Sequence, residues 1–154
     1  MDGSDVLTGV AVGAALGGAA GWLVARVLHV RDRAGRQVIL DAGMTELIRP
    51  ALYGARHPIV ALTSIGRKVD ATPRPDALSP AQVEGPICES TDSLGTHDLP
   101  PLGRGDLVAI ADAGAYAASL GSTYNGRPRP PQVLLAHDGS LALGRRRGTL
   151  AALG

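Results

Sequence analysis

Trp22–Val30, WLVARVLHV, is the stretch on which the fold class turns. It is rich in Val and Leu and alternates along its length, the period-two pattern of a strand with one buried face. The residues that follow, RDRAGR at 31–36, read as a turn, and QVILDAG at 37–43 as a second strand ending at Gly43. RPALYG at 49–54 reads as a helical turn, with Pro50 suited to a first helical position and Gly54 to a stop. PIVALTSI at 58–65 and LVAIADAG at 107–114 are further strands, separated by the proline-rich DATPRPDALSP at 70–80, which reads as a surface loop. AYAASLGSTYNG at 115–126 is a short helix closing in a turn. PQVLLAHDGSLALG at 131–144 is a hairpin around Asp138–Gly139, and the tail after it carries RRR and one helical turn. Short strands, frequent turns and short helices near Pro50–Tyr53 and Tyr116–Ser122 predict an antiparallel β-barrel or sandwich from about Trp22 to Gly144.

The composition agrees with a single domain. The chain has 154 residues, 45% of them hydrophobic, with no Phe and only 3% aromatics, so its core must come from Val, Leu, Ile and Ala. A net charge of +1 implies no nucleic-acid partner. A single cysteine cannot close an internal disulfide, which fits a reducing, cytoplasmic setting.

The N-terminus is different in kind. No charged residue occurs from Val6 to Ala25, and Gly9, Gly13, Gly17 and Gly21 recur at every fourth position. That spacing is a close-packing helix face and makes residues 6–25 a candidate membrane anchor, although Ala and Gly carry little transfer energy.

Candidate chemistry is sparse. There is no Walker loop, no G-x-S-x-G and no C-x-x-C, and His29, His57, His97 and His137 have no metal-ligand spacing. Arg49 and Tyr53 lie four apart on a helical turn, so both can face one pocket and hold a carboxylate; the alternative is a surface arginine over a packed tyrosine. Cys88, the only thiol, precedes Glu89 in VEGPICESTD at 83–92. A thiol can deliver a proton near neutral pH and a carboxylate can bind an ammonium, whereas a lone cysteine is otherwise a small hydrophobe. Tyr116, Tyr124 and Asn125 follow a strand end, where sites commonly form.

Three stretches together resemble one known family. ILDAGMTELIRPALYGARHPI, VEGPICESTDSLG and GDLVAIADAGAYAASLGSTYNGRPRPPQVL, in that order, are similar to the C-terminal domain of diaminopimelate decarboxylase. The resemblance implies a pyridoxal-phosphate enzyme of fold-type III, pairing an N-terminal (β/α)8 barrel with a C-terminal β-domain. Such an enzyme converts meso-diaminopimelate to L-lysine and carbon dioxide as a dimer whose sites lie between subunits. On the matching positions, Cys88 would protonate the carbanion left by decarboxylation, and Glu89 would hold the distal ammonium. Arg49 and Tyr53 would bind substrate carboxylate, and Tyr116 would sit against both substrate and cofactor. Thr91 stands where the family usually has Gly.

The resemblance covers residues 22–147, with 148–154 as a tail and 1–21 as non-homologous, disordered or helical sequence joined to a truncated enzyme. VGAALGGA occupies the place of the family's phosphate-gripping stretch, the strand the family's β-domain borrows from the chain's N-terminus is missing, and Lys68 is no substitute for the barrel lysine. The chain is therefore expected to be inactive alone. Pairing with itself or with a full-length homologue is the expected partnership. The other readings are a non-catalytic remnant acting as a binding module, and a β-domain tethered to the membrane.

Overall fold

In a computed structural model, which describes residues 9–13, 21–69 and 78–152, nine strands form one curled sheet with few helices. In chain order these are β1 (Gly9–Gly13), β2 (Trp22–Arg31), β3 (Arg36–Leu40), β4 (Ile59–Leu62), β5 (Ser79–Glu84), β6 (Ser93–Leu99), β7 (Leu107–Ile110), β8 (Gln132–Leu135) and β9 (Leu141–Arg145). Two short helices, α1 (Arg49–Tyr53) and α2 (Ala115–Leu120), fall where the sequence predicts them.

Strand β2 organises the sheet. Its first half pairs with β1 on one side and β7 on the other; its second half pairs with β3. The sheet then runs β6-β5-β3-β2-β1-β8-β9, with β4 attached through β7. The alternation read from the sequence holds over the first half: Leu23, Ala25 and Val27 are buried while Trp22 is exposed. It breaks after Val27, where the register to β3 shifts and Leu28 and His29 both turn outward. A bulge adds one unpaired residue, so the face reverses there.

The core is aliphatic throughout, as the composition requires: Leu23, Val27, Val38, Leu40, Val83, Leu99, Val108 and Ile110 lie at its centre. The ladders are mainly antiparallel, but two are parallel: β1 with β8 and β3 with β5.

Two sequence readings change. The proline-rich segment is a strand at its end: Ser79 and Pro80 open β5, and residues 70–77 lie outside the described residues. Pro80 is tolerated because the pairing of β5 with β3 begins only at Ala81, so the missing N–H interrupts no bond to β3. Strand β6 went unread because His97 occupies an inward position. It is buried, with Nε2 2.9 Å from the Leu94 carbonyl, so a polar residue hides the apolar alternation.

The glycine run also differs from its helical reading. Residues 9–13 are a strand, and residues 22–25 belong to β2, so the span proposed over 6–25 is not a helix at those positions. The rest of that proposal lies outside the described residues. Among the described residues, no helix is long and apolar enough to cross a membrane.

Candidate functional site

Three loops converge at one end of the sheet: residues 43–49 leading into α1, residues 85–92 between β5 and β6, and residues 111–126 after β7. Contacts among them fix the arrangement. The Ser122 amide donates to the Thr45 carbonyl at 2.9 Å, and the Met44 amide donates to Asp92 Oδ1 at 2.6 Å.

Cys88 and Glu89 stand exposed on the second loop, lifted there by a tight local fold. The Gly85 amide donates to the Asp92 carbonyl at 2.8 Å, and the Asp92 amide to the Glu89 carbonyl at 3.1 Å, closing the loop at its base. A cleft of about 560 Å³ opens beside the thiol, lined by Cys88, Glu89, Glu84, His29, Arg31 and Ile39.

Helix α1 begins as the sequence suggests, with Pro50 in its first turn, and ends at Gly54. Gly54 adopts φ 63°, a left-handed conformation that glycine takes at no steric cost, and its amide closes back onto the Pro50 carbonyl. Arg49 is half-buried, and its guanidinium lies over the Tyr116 ring, 5.7 Å from the centroid. That distance suits a cation–π contact. Tyr53, one turn further on, is 68% exposed.

Tyr124 reaches the thiol loop from the third segment, its hydroxyl donating to Glu89. Asn125, at φ 57°, bends the chain behind it. The bond to a carboxylate acceptor, followed by the carboxylate's negative charge, holds the Tyr124 phenol above its ordinary 10.0. Thr91 Oγ1 also donates to Glu89, at 3.4 Å.

The structure therefore forms two groups. Cys88, Glu89 and Tyr124 make one, Arg49 and Tyr116 the other, and no hydrogen bond, ion pair or ring contact joins them among the described residues. Tyr53 belongs to neither by contact. Tyr124 appears in the sequence only as a residue near a strand end; its pairing with Glu89 carries no local signal because 35 residues separate them. Asp92 was not singled out at all, although it is fully buried beneath the thiol. No local signal marks it: Gly43 and Gly85, which line its carboxylate in space, both precede it in the chain, Gly43 by 49 residues.

A second buried carboxylate supports the first loop. Glu46 accepts from the Gly43 amide at 2.9 Å and from Thr45 Oγ1 at 2.8 Å, and lies 3.9 Å from Arg127 Nε. Burial pushes its carboxyl above the ordinary 4.5, and these partners offset only part of that cost.

Comparison with known proteins gives this geometry its context. Residues 16–114 match the sequence model of the pyridoxal-dependent decarboxylase C-terminal sheet domain. A diaminopimelate decarboxylase of Deinococcus radiodurans is 46% identical over 134 residues, covering 84% of this chain and 32% of that protein. A crystal structure of diaminopimelate decarboxylase superposes with a TM-score of 0.78 at 38% identity, covering 86% of this chain and 32% of that one. The Helicobacter pylori enzyme, solved in complex with L-lysine, gives a TM-score of 0.72 at 37% identity, covering 86% of this chain and 30% of that one. The chain thus spans about a third of the length of the relatives it matches.

Pyridoxal phosphate is the cofactor that this family implies. A pyridoxal enzyme holds it covalently on a lysine amine beside a phosphate cradle. Lys68 is the only lysine, and it sits exposed on the turn after β4, bridging back to Leu62. It lines no part of the cleft beside Cys88. The described residues do not fit the cofactor as its covalent holders; they present a thiol, carboxylates, phenols and a guanidinium. With this fold, this site and these relatives, the chain belongs to the pyridoxal-dependent decarboxylases, as their C-terminal sheet domain.

Proposed function

We propose that this chain is the site-completing domain of a diaminopimelate decarboxylase, acting on meso-diaminopimelate with a partner that carries the cofactor. The observation that supports this most directly is the exposed Cys88–Glu89 pair on a braced loop. Cys88 Sγ–H is a mobile proton donor, suited to return a proton to carbon after carbon dioxide has left. Glu89 takes the distal ammonium of the substrate, its carboxylate oriented by Tyr124 and Thr91. Arg49 offers a planar fork of donors to a substrate carboxylate, with Tyr53 beside it and Tyr116 stacked beneath. The relative solved with L-lysine binds a molecule of the expected product class.

The separation into two groups favours a shared site. In a dimer, or in a pairing with a full-length homologue, Cys88 and Glu89 reach into a neighbour's site rather than completing their own. The chain supplies no covalent anchor for the cofactor, so purified alone it neither takes up pyridoxal phosphate stoichiometrically nor releases lysine. A cytoplasmic setting suits a chain whose lone thiol must remain reduced.

The test combines the chain with the other two thirds of a relative, as a separate polypeptide or a fusion. Lysine release should appear only in the assembly. Cys88→Ala should slow turnover about 100-fold with KM within threefold, and Glu89→Gln should chiefly raise KM. An assembly whose turnover ignores Cys88→Ala would remove the proton-donor role. A chain that associates with a homologue without restoring turnover would instead be a binding module.

A further inference from the structure

Asp92 takes no direct part in the chemistry proposed above, yet it is 2% exposed and lies directly under the thiol loop. Its two oxygens are divided between two loops. Oδ2 accepts the Ile87 amide at 2.6 Å, one residue before Cys88, and Oδ1 accepts the Met44 amide at 2.6 Å, five residues before Arg49. Both bonds are short and end on a carboxylate, the stronger kind of hydrogen bond. The carboxylate sits in a slot that only glycines can line. A Cβ on Gly43 would lie 2.1 Å from Oδ1, and one on Gly85 would lie 2.2 Å from Oδ1 and 2.3 Å from Oδ2. Two backbone positions, one on each loop, have thus given up their side chains to admit this group.

The connection continues on both sides. On one, the Glu89 amide bonds to the Ile87 carbonyl at 2.8 Å, so the segment held by Oδ2 is the turn that presents Cys88 and Glu89. On the other, the Leu47 amide bonds to the Gly43 carbonyl at 2.9 Å, and the Gly43 amide bonds to Glu46, so the segment held by Oδ1 is the turn that launches α1. We infer that Asp92 is a positioning residue: it fixes the thiol–carboxylate pair relative to the arginine helix, so that the pair offered to a neighbour's site stands at one set position from the carboxylate clamp kept in the chain's own. This rests on the functional reading above and adds to it the part that sets the geometry.

The experiment has two arms. On the chain alone, amide hydrogen exchange is followed by NMR at pH 7. The Ile87 and Met44 amides should exchange at least 100-fold more slowly than the exposed Ser90 amide. Asp92→Asn keeps the size but leaves one acceptor and turns an NH₂ toward an amide, so it should speed exchange at one or both at least tenfold while core amides such as Val83 are unchanged. In the assembly, Asp92→Asn should lower kcat about tenfold with KM within threefold, and the loss should shrink below twofold in a Cys88→Ala background. Should Asp92→Asn fail to fold, unprotected Ile87 and Met44 amides in the unaltered chain would overturn the inference, and protected ones would support it. Unchanged protection in a folded Asp92→Asn chain, or equal kcat losses in both backgrounds, would also overturn it. Failure of Cys88→Ala to slow the assembly would count instead against the functional reading, leaving the exchange result to stand by itself.

Discussion

The two ends of the sheet are built differently. At the β3–β5–β6 end, Val38, Leu40, Val83 and Leu99 are fully buried and the site loops rise from their edges. At the β8–β9 end, every residue of β9 but its last is exposed, and Leu135, Leu141 and Leu143 show half or more of their surface. Among the described residues, the hairpin's ladder to the rest of the sheet runs through β1. The difference shows where the packing is concentrated: beneath the thiol loop and helix α1.

Substitutions test that contrast, beginning with the largest effect. Leu40→Ala removes a fully buried side chain and should cost about 2–5 kcal/mol. Leu143→Ala, 59% exposed on the hairpin, should stay within about 0.5 kcal/mol. Urea denaturation of the two variants measures both. Similar costs would mean that the hairpin is packed as firmly as the site end.

A smaller effect sharpens the join between the regions, where Glu46 meets Arg127 ahead of β8. The folded chain holds the Glu46 proton more tightly than the unfolded one, because burial raises its carboxyl above 4.5. The stability it contributes is therefore full below about pH 4.5 and is lost as pH rises through the folded value. Glu46→Gln, which cannot ionise, should gain on the unaltered chain between pH 4.5 and pH 7. Thermal melts across that window should show the two curves separating as pH rises; a constant gap would break the assignment.

The smallest effect lies at the site surface. In a spectrophotometric titration, Tyr124 should ionise above the ordinary 10.0, and Tyr124→Phe or Glu89→Gln should abolish that late component without changing the fold. A late component that survives both would detach Tyr124 from Glu89.

Much of this was legible in the chain because the signals are local. Alternation marked β2, Pro50 and Gly54 bracketed α1, and Asp138–Gly139 marked the hairpin. The Cys88–Glu89 adjacency and the arginine helix were equally readable, and resemblance supplied their roles. What was not legible depends on distant pairs. Strand β6 carries a buried histidine where an apolar residue would have announced it, and β5 opens with a proline. Asp92 meets Met44 across 48 residues, and no periodicity encodes that. The glycine spacing at 9–21 matched a helix face, but at 9–13 the free edges of β2 and β8 accept a strand, so tertiary pairing outweighs the local pattern.

The place of β1 bears on how the molecule is made. Its parallel partner β8 lies roughly 120 residues later in the chain, so this ladder is among the most non-local of its contacts. On a ribosome, β1 leaves the exit tunnel about 120 residues ahead of β8. Until β8 emerges, one edge of β1 has no mate and is open to pairing with a neighbouring nascent chain. Crowded synthesis should therefore favour chaperone cover of β1 during that interval, a demand set by strand order alone.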